Sequence, residues 1–361
     1  MKQTIPDTYT IQKWLFDEAE GRFDIDLAES GIQYHHVNDL TIDYNYDLNY
    51  SLDRGKLELR KAIAEMYSVS EDNIAITNGA QEALYLFYRI FLSDKDHIIT
   101  FTPGWQQSWE IPHITGAEVT KIRLRAEENY RLNIDTIKNS IKSNTKLIIF
   151  SNPNNPTGVL LSESELLELT QLCEKNNIFM VADEEYFTDY QNSLIKKVKH
   201  SCIVGSLSKV YGFPGLRLGW LISDQKNIEA VVNYKRYVSV SNSSLCEYLG
   251  IKILSNYKVH LTHYANLVSE GYNILRNWIA DFPILDITQP EGTPFAYIKL
   301  SNNINSYQFC RSLLKNQKVL LMPAEVFEDE FAIRVSFGRE KNILMPGLAK
   351  VALELTDTNI D

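Results

Sequence analysis

Lys146-Leu147-Ile148-Ile149-Phe150-Ser151 runs without a break into Asn152-Pro153-Asn154-Asn155-Pro156-Thr157-Gly158. The apolar run is too short for a helix, and Asn, Pro and Gly at its end favour a turn. It reads as a buried strand that opens into a rigid loop at its carboxyl end. Downstream, helical periodicity covers Glu163–Lys175, and strand-like runs cover Ile178–Ala182 and Cys202–Ser206. Upstream, Leu57–Tyr67 and Ala83–Leu92 read as helices, with strands at Ile74–Thr77 and His97–Phe101. Buried strands separated by amphipathic helices imply an α/β domain with a largely parallel sheet. In such sheets ligands sit beyond the carboxyl ends of the strands.

After about residue 240 the texture changes. A long helix over Val259–Asp281 leads to short strands at Leu285–Thr288 and Phe295–Leu300. A helix near Tyr307–Lys315 and strands near Val319–Met322 and Phe331–Phe337 follow. This predicts a large domain over residues 46–250. A smaller α+β domain is expected from residues 251–361, joined in space by residues 1–45.

The formal net charge of −10 opposes non-specific binding to nucleic acid, which needs clustered Lys and Arg. Met1 to Trp14 lacks a basic stretch followed by an apolar core, so no signal peptide is expected. No apolar run approaches the roughly 20 residues that span a bilayer. Cys173, Cys202, Cys246 and Cys310 are scattered, with no CxxC pair, and read as reduced thiols. A cytoplasmic enzyme of small molecules, with no nucleic acid and no membrane as partner, fits these features. His260 and His263 can share a helical face, and His35-His36 stand together, but no third group in the sequence accompanies either pair. No metal site is expected.

Five segments carry chemistry. Ser206-Leu207-Ser208-Lys209 places an amine just past a strand, among hydroxyls and glycines, with Arg217 eight residues on. Such an amine suits a Schiff base beside a phosphate, since nearby cations and desolvation favour its neutral form. Taken alone, Lys209 reads as a surface lysine. Asn155 lies in the turn already quoted, where a fixed amide can donate a hydrogen bond, although the same residues make an ordinary turn. Asp183-Glu184-Glu185-Tyr186 follows a strand. A carboxylate there can hold a pyridine nitrogen protonated, with the tyrosine reaching a phenolic oxygen; an acidic helix start is the plainer alternative. Thr77-Asn78-Gly79-Ala80-Gln81-Glu82 opens a helix whose positive end suits a phosphate. Arg334 interrupts the apolar strand Ile333–Phe337, and its planar fork matches a carboxylate, unless it is a structural ion pair.

The ordered set Tyr50…Gly55, Asn78-Gly79-Ala80, Pro103-Gly104-Trp105, Asn155-Pro156-Thr157-Gly158, Asp183…Tyr186, Ser206…Lys209…Arg217 and Arg334 resembles the class I/II aminotransferases of pyridoxal-5′-phosphate (PLP) fold type I. The resemblance implies the cofactor pyridoxal 5′-phosphate, bound to Lys209 as a Schiff base. Lys209 would then shuttle a proton at the substrate α-carbon. Asp183 would pair with the ring nitrogen, Asn155 and Tyr186 would hold the phenolic oxygen, and Trp105 would stack on the ring. Gly79, Ala80, Gln81, Ser206, Ser208 and Arg217 would bind the phosphate. Arg334, with Gly31 and Asn155, would meet the substrate. Tyr50 resembles the tyrosine that reaches the phosphate from a neighbouring subunit, which implies a homodimer with shared active sites.

Some details depart from that pattern. Glu291-Gly292-Thr293-Pro294-Phe295 stands where many relatives have Gly-Gly before an aromatic strand, and Met322-Pro323-Ala324-Glu325 where Pro-Gly is usual. Glu29-Ser30-Gly31-Ile32 and Phe337-Gly338-Arg339 are similar to segments of capreomycidine-synthase-like enzymes. The leading expectation is transfer of an amino group from an L-amino acid to a 2-oxo acid. The alternative is PLP-dependent elimination, replacement or cyclisation on an amino acid, an arginine-derived one among the candidates. A ligand-sensing regulator with an aminotransferase-like domain is a third class, disfavoured by the acidic charge and by Tyr50 already belonging to the cofactor domain.

Overall fold

A computed structural model describes residues 5–300 and 304–358. Its strands, in chain order, are β1 (Ile25–Asp26), β2 (Ile74–Thr77), β3 (His97–Thr102), β4 (Glu118–Arg123), β5 (Thr145–Ser151), β6 (Phe179–Asp183), β7 (Ser201–Ser206) and β8 (Gly219–Ile222). They continue as β9 (Asp286–Thr288), β10 (Phe295–Lys299), β11 (Val319–Leu320), β12 (Met322–Pro323) and β13 (Ala332–Ser336). Strands β2 to β8 form one sheet in the order β2-β8-β7-β6-β5-β3-β4. All are parallel except β8, which runs antiparallel to both neighbours.

The central strands are buried along most of their length on both faces because helices cover the sheet from either side. Alternate residues serve opposite cores. Ile148 and Phe150 of β5 join Leu59 and Ile63 of helix Leu57–Tyr67 and Leu166 and Leu169 of helix Glu163–Lys175. Leu147 and Ile149 join Leu84 and Phe87 of helix Gly79–Phe91 and Ile228 and Val231 of helix Gln225–Lys235. The edge strand β4 was not expected from the sequence: only Ile122 in it is buried, so it lacks the apolar run that marks its neighbours.

A third core gathers Ile11, Trp14, Leu27 and Ala28 with Leu275, Phe309, Leu313, Val335 and Leu355. The N-terminal segment is tied into it by β1 pairing with β11 and by the Trp14 indole N–H donating to Leu321 O at 2.9 Å. The single strand expected near Val319–Met322 is divided at Leu321. β11 pairs with β1, whereas β12 joins the antiparallel sheet β12-β13-β10-β9. Where the chain changes sheets, the intervening Leu321 carbonyl accepts the Trp14 indole N–H. Helix Gly79–Phe91 begins earlier than its apolar periodicity suggests, since its first turn is Gly-Ala-Gln.

Candidate active site

Because β2, β3, β5, β6 and β7 are parallel, their carboxyl ends lie along one edge of the sheet. That edge carries Asn78-Gly79, Pro103-Gly104-Trp105, the Asn155 loop, Asp183 and Ser206–Lys209. The reversed strand β8 adds Arg217, which stands just before its first residue. A cavity of about 510 Å³ opens there, within the range that holds a drug-sized ligand. Its walls include Ala80, Gln81, Trp105, Asn155, Asp183, Tyr186, Ser208, Lys209, Arg217 and Arg334. Residues as distant in the chain as Ala80 and Arg334 are thus brought to one site.

The amine of Lys209 stands 2.6 Å from Glu29 Oε1, which also accepts the Gly31 N–H at 3.1 Å. Burial pushes the Glu29 carboxyl up. The Lys209 ammonium and its hydrogen bond, the Gly31 amide and Arg334 outweigh that and hold it at about 2. Asp183, at the end of β6, is different: burial, then the charge of Glu185, push it up to about 8, and Lys209 offsets only part of this. Tyr186 donates to Ser30 Oγ at 2.8 Å, and burial raises its phenol well above the ordinary value.

Arg334 occupies an interior strand of the small sheet, with Tyr297 and Met322 across from it. Its guanidinium lies between the rings of Phe295 and Phe327, at 5.2 and 5.1 Å. It donates to Asn155 Oδ1 at 2.7 Å and to Ala28 O at 2.5 Å, while its buried Nε has no partner. Both acceptors are neutral. The structural ion pair weighed against a substrate role does not appear among its hydrogen bonds.

At the other end, Gly79 has φ +77°, and a Cβ there would fall 2.5 Å from Arg217 Nη2. Glycine is needed both for the backbone and for the close approach of the guanidinium. Helix Gly79–Phe91 points its free first-turn amides at the same place. The Ser206 hydroxyl donates to Glu185 and accepts the Ser208 N–H at 3.0 Å.

Not every expected residue lines the cavity. Gly31 packs against the backbone of residue 209 instead: a Cβ would lie 3.0 Å from Ser208 O and 3.2 Å from Lys209 Cα. Tyr50 is 83% exposed, on a surface shared with Leu48, Ser241 and Ser243. Conversely, Glu29, Ser30, Glu185 and the N-terminal residues Ile11, Gln12, Leu15 and Phe16 line the cavity without having been singled out for it. The Glu-Ser-Gly segment was visible, but nothing in it showed proximity to a lysine 180 positions away. The two histidine pairs also meet, contrary to expectation: the His35 ring lies 5.9 Å from His260 and 5.6 Å from His263. Among the described residues, no cluster is arranged to hold a metal.

The residues fit the expected cofactor. A buried carboxyl raised by desolvation and by Glu185 suits a protonated ring nitrogen, whose charge would favour the carboxylate. A reactive amine lies beside it, and Arg217 with the helix amides answers a phosphate.

The description "Aminotransferase class I and II" matches residues 41–345. An aspartate aminotransferase of Thermotoga maritima is 27% identical over 320 residues, covering 84% of this chain and 83% of that one. The capreomycidine synthase of Streptomyces vinaceus is 25% identical over 309 residues, covering 83% and 79%. The crystal structure of a PLP-dependent aminotransferase from Streptococcus suis superposes with a TM-score of 0.93 over 99% of both chains, at 26% identity. The chain is an enzyme that belongs to the aminotransferase class I and II family.

Proposed function

We propose that this enzyme holds pyridoxal 5′-phosphate on Lys209, binds an L-amino acid through Arg334 and passes its amino group to a 2-oxo acid. The observation that carries the reading is the convergence of Lys209, Asp183, Asn155 and Arg334 on one cavity. When bound, the cofactor supplies an electron sink for the bonds at the substrate α-carbon.

The side chains divide the remaining work. Asp183 holds the proton on the ring nitrogen. Arg334 fixes the Asn155 amide through its oxygen, leaving Nδ2 as the donor to the ring's phenolic oxygen. Tyr186 is a second donor there once it leaves Ser30. Trp105 covers one ring face. Arg217, Ser206, Ser208 and the amides of residues 79–81 bind the phosphate, and Ser206 must give up Glu185 to do so. The free Nε of Arg334 gives the substrate α-carboxylate a buried, charged donor. Lys209 Nζ takes the α-proton and returns it.

A large domain over residues 46–250 and a small one over 1–45 and 251–361 belong to the same proposal: the core of Ile11, Trp14 and Leu275 supports the small domain, while Ile32, Tyr264, Tyr297 and Ala332 cross over to pack in the core of the large one. The exposed Tyr50 surface supports a homodimer in which Tyr50 reaches the neighbouring site. Cytoplasmic location is part of the same proposal; among the described residues no helix is long and apolar enough to cross a membrane.

Elimination or cyclisation is kept as a second reading because a second proton acceptor, Glu29, stands at Lys209. Incubating holoenzyme with single amino acids, without a 2-oxo acid, separates the two. Transfer leaves stoichiometric pyridoxamine 5′-phosphate and a 2-oxo acid, whereas elimination or cyclisation leaves the aldehyde cofactor and a changed carbon skeleton.

A further inference from the structure

We propose that Glu29 is the proton-handling partner of the Lys209 nitrogen, its counter-ion while it is joined to the cofactor and the acceptor of its proton when a free amine is needed. The inference rests on the reading of Lys209 given above.

The geometry is enforced by backbone as well as by charge. Ser336 Oγ and Arg339 Nη2 donate to the Glu29 carbonyl at 2.6 and 2.7 Å. The Ile32 N–H donates to Lys209 O at 3.2 Å. Gly31 lets its segment press on the Lys209 backbone without a side chain between them. The two side chains therefore extend from segments locked together, and 2.6 Å separates Oε1 from Nζ. Other charged and titratable groups face the pair from three sides: Arg334 from β13, Arg339 beyond it, and Asp183, Glu185 and Tyr186 from the end of β6. The arginines favour the Glu29 carboxylate, and the acids favour a protonated nitrogen.

An ammonium has no lone pair and attacks nothing. For Lys209 to act, one N–H bond must break with its electron pair staying on nitrogen, while a lone pair of Glu29 Oε1 forms an O–H bond. The ion pair becomes a neutral pair, with one proton moved and none lost. Desolvation, the largest influence on Glu29, raises its pKa, so neutralising the neighbouring ammonium shifts the carboxyl toward its protonated form, against the Gly31 amide and Arg334, which still favour the carboxylate. Reversal restores the cation.

Glu29→Gln tests charge alone, because the amide oxygen still accepts the Gly31 N–H. The measurement is the pH titration of the absorbance of Lys209-linked cofactor in the holoenzyme, beside thermal melts. Removing the carboxylate should move the transition to lower pH by about 1 to 3 units, the effect of an opposite charge at this range. Glu29→Asp should fall between. Binding of pyridoxamine 5′-phosphate, which forms no bond to Lys209, should be unchanged within about twofold in Glu29→Gln, a factor too small to represent a lost charged hydrogen bond. A titration in Glu29→Gln that coincides with wild type, at equal melting temperature, overturns the proposal. Should that variant not load pyridoxal 5′-phosphate, tight pyridoxamine 5′-phosphate binding supports it. Loss of both ligands with a lowered melt makes Glu29 a wall residue and overturns it. If the wild-type protein itself forms no link at Lys209, the function reading falls and takes this inference with it.

Discussion

The two cations of the cavity, Lys209 and Arg334, are held in opposite ways. Lys209 is hydrogen-bonded to an anion, Glu29, whereas Arg334 is buried between two aromatic rings and hydrogen-bonds only to neutral oxygens. A buried charge with neutral partners and a spare N–H retains most of its pull on an incoming anion. A charge already paired has little pull left, but it can exchange a proton. On the proposed function, that difference suits Arg334 to binding and Lys209 to chemistry, although both are basic side chains in one pocket.

The strongest way to break this comparison is Lys209→Ala. Attachment and proton transfer both lose their group, so turnover should vanish, and borohydride should fix no cofactor to the peptide that carries Lys209 in wild type. Fixation to another lysine would remove Lys209 from its role. Asp183→Ala comes next. Without the carboxylate the ring nitrogen loses its proton and the electron sink weakens, so kcat should fall at least a hundredfold, on the order seen when a preorganised electrostatic group is removed, while some cofactor stays bound. Near wild-type kcat would contradict the assignment.

Arg334→Lys is milder. It keeps a cation but loses the fork, and a charged hydrogen bond is worth about 1.5–3 kcal/mol, so kcat/KM should drop roughly tenfold to over a hundredfold. Cofactor content and melting temperature should change little, and a decarboxylated substrate analogue should be much less affected. Equal losses on both substrates with a lower melt would make Arg334 structural. A last test, on stability rather than turnover, concerns Asp183 without cofactor. Its folded value of about 8 lies above the ordinary carboxyl range, so the native state keeps a proton that the unfolded chain has released. That contribution is present below about pH 4 and is lost as pH rises through about 8. Melting curves of apoprotein and Asp183→Asn should therefore converge near pH 4 and separate toward pH 8, with the variant higher. Parallel curves would mean that the carboxyl is not held protonated.

The sequence by itself determined the strand-and-loop order and the residue types at the sheet edge. Leu147–Phe150 is apolar on both faces, and Asn155, Asp183 and Lys209 each follow a strand at short range, so local pattern and turn chemistry suffice to place them. What only tertiary structure decided is who faces whom. The edge strand β4 has no apolar run, the Val319–Met322 stretch is divided at Leu321, whose carbonyl accepts an indole N–H from residue 14, and Glu29 reaches Lys209 through a strap pinned by Ser336 and Arg339. Periodicity reports which face of an element is buried, but carries no information on which distant side chain it meets. That pairing is set by packing and by the return of the N-terminal segment to the C-terminal core.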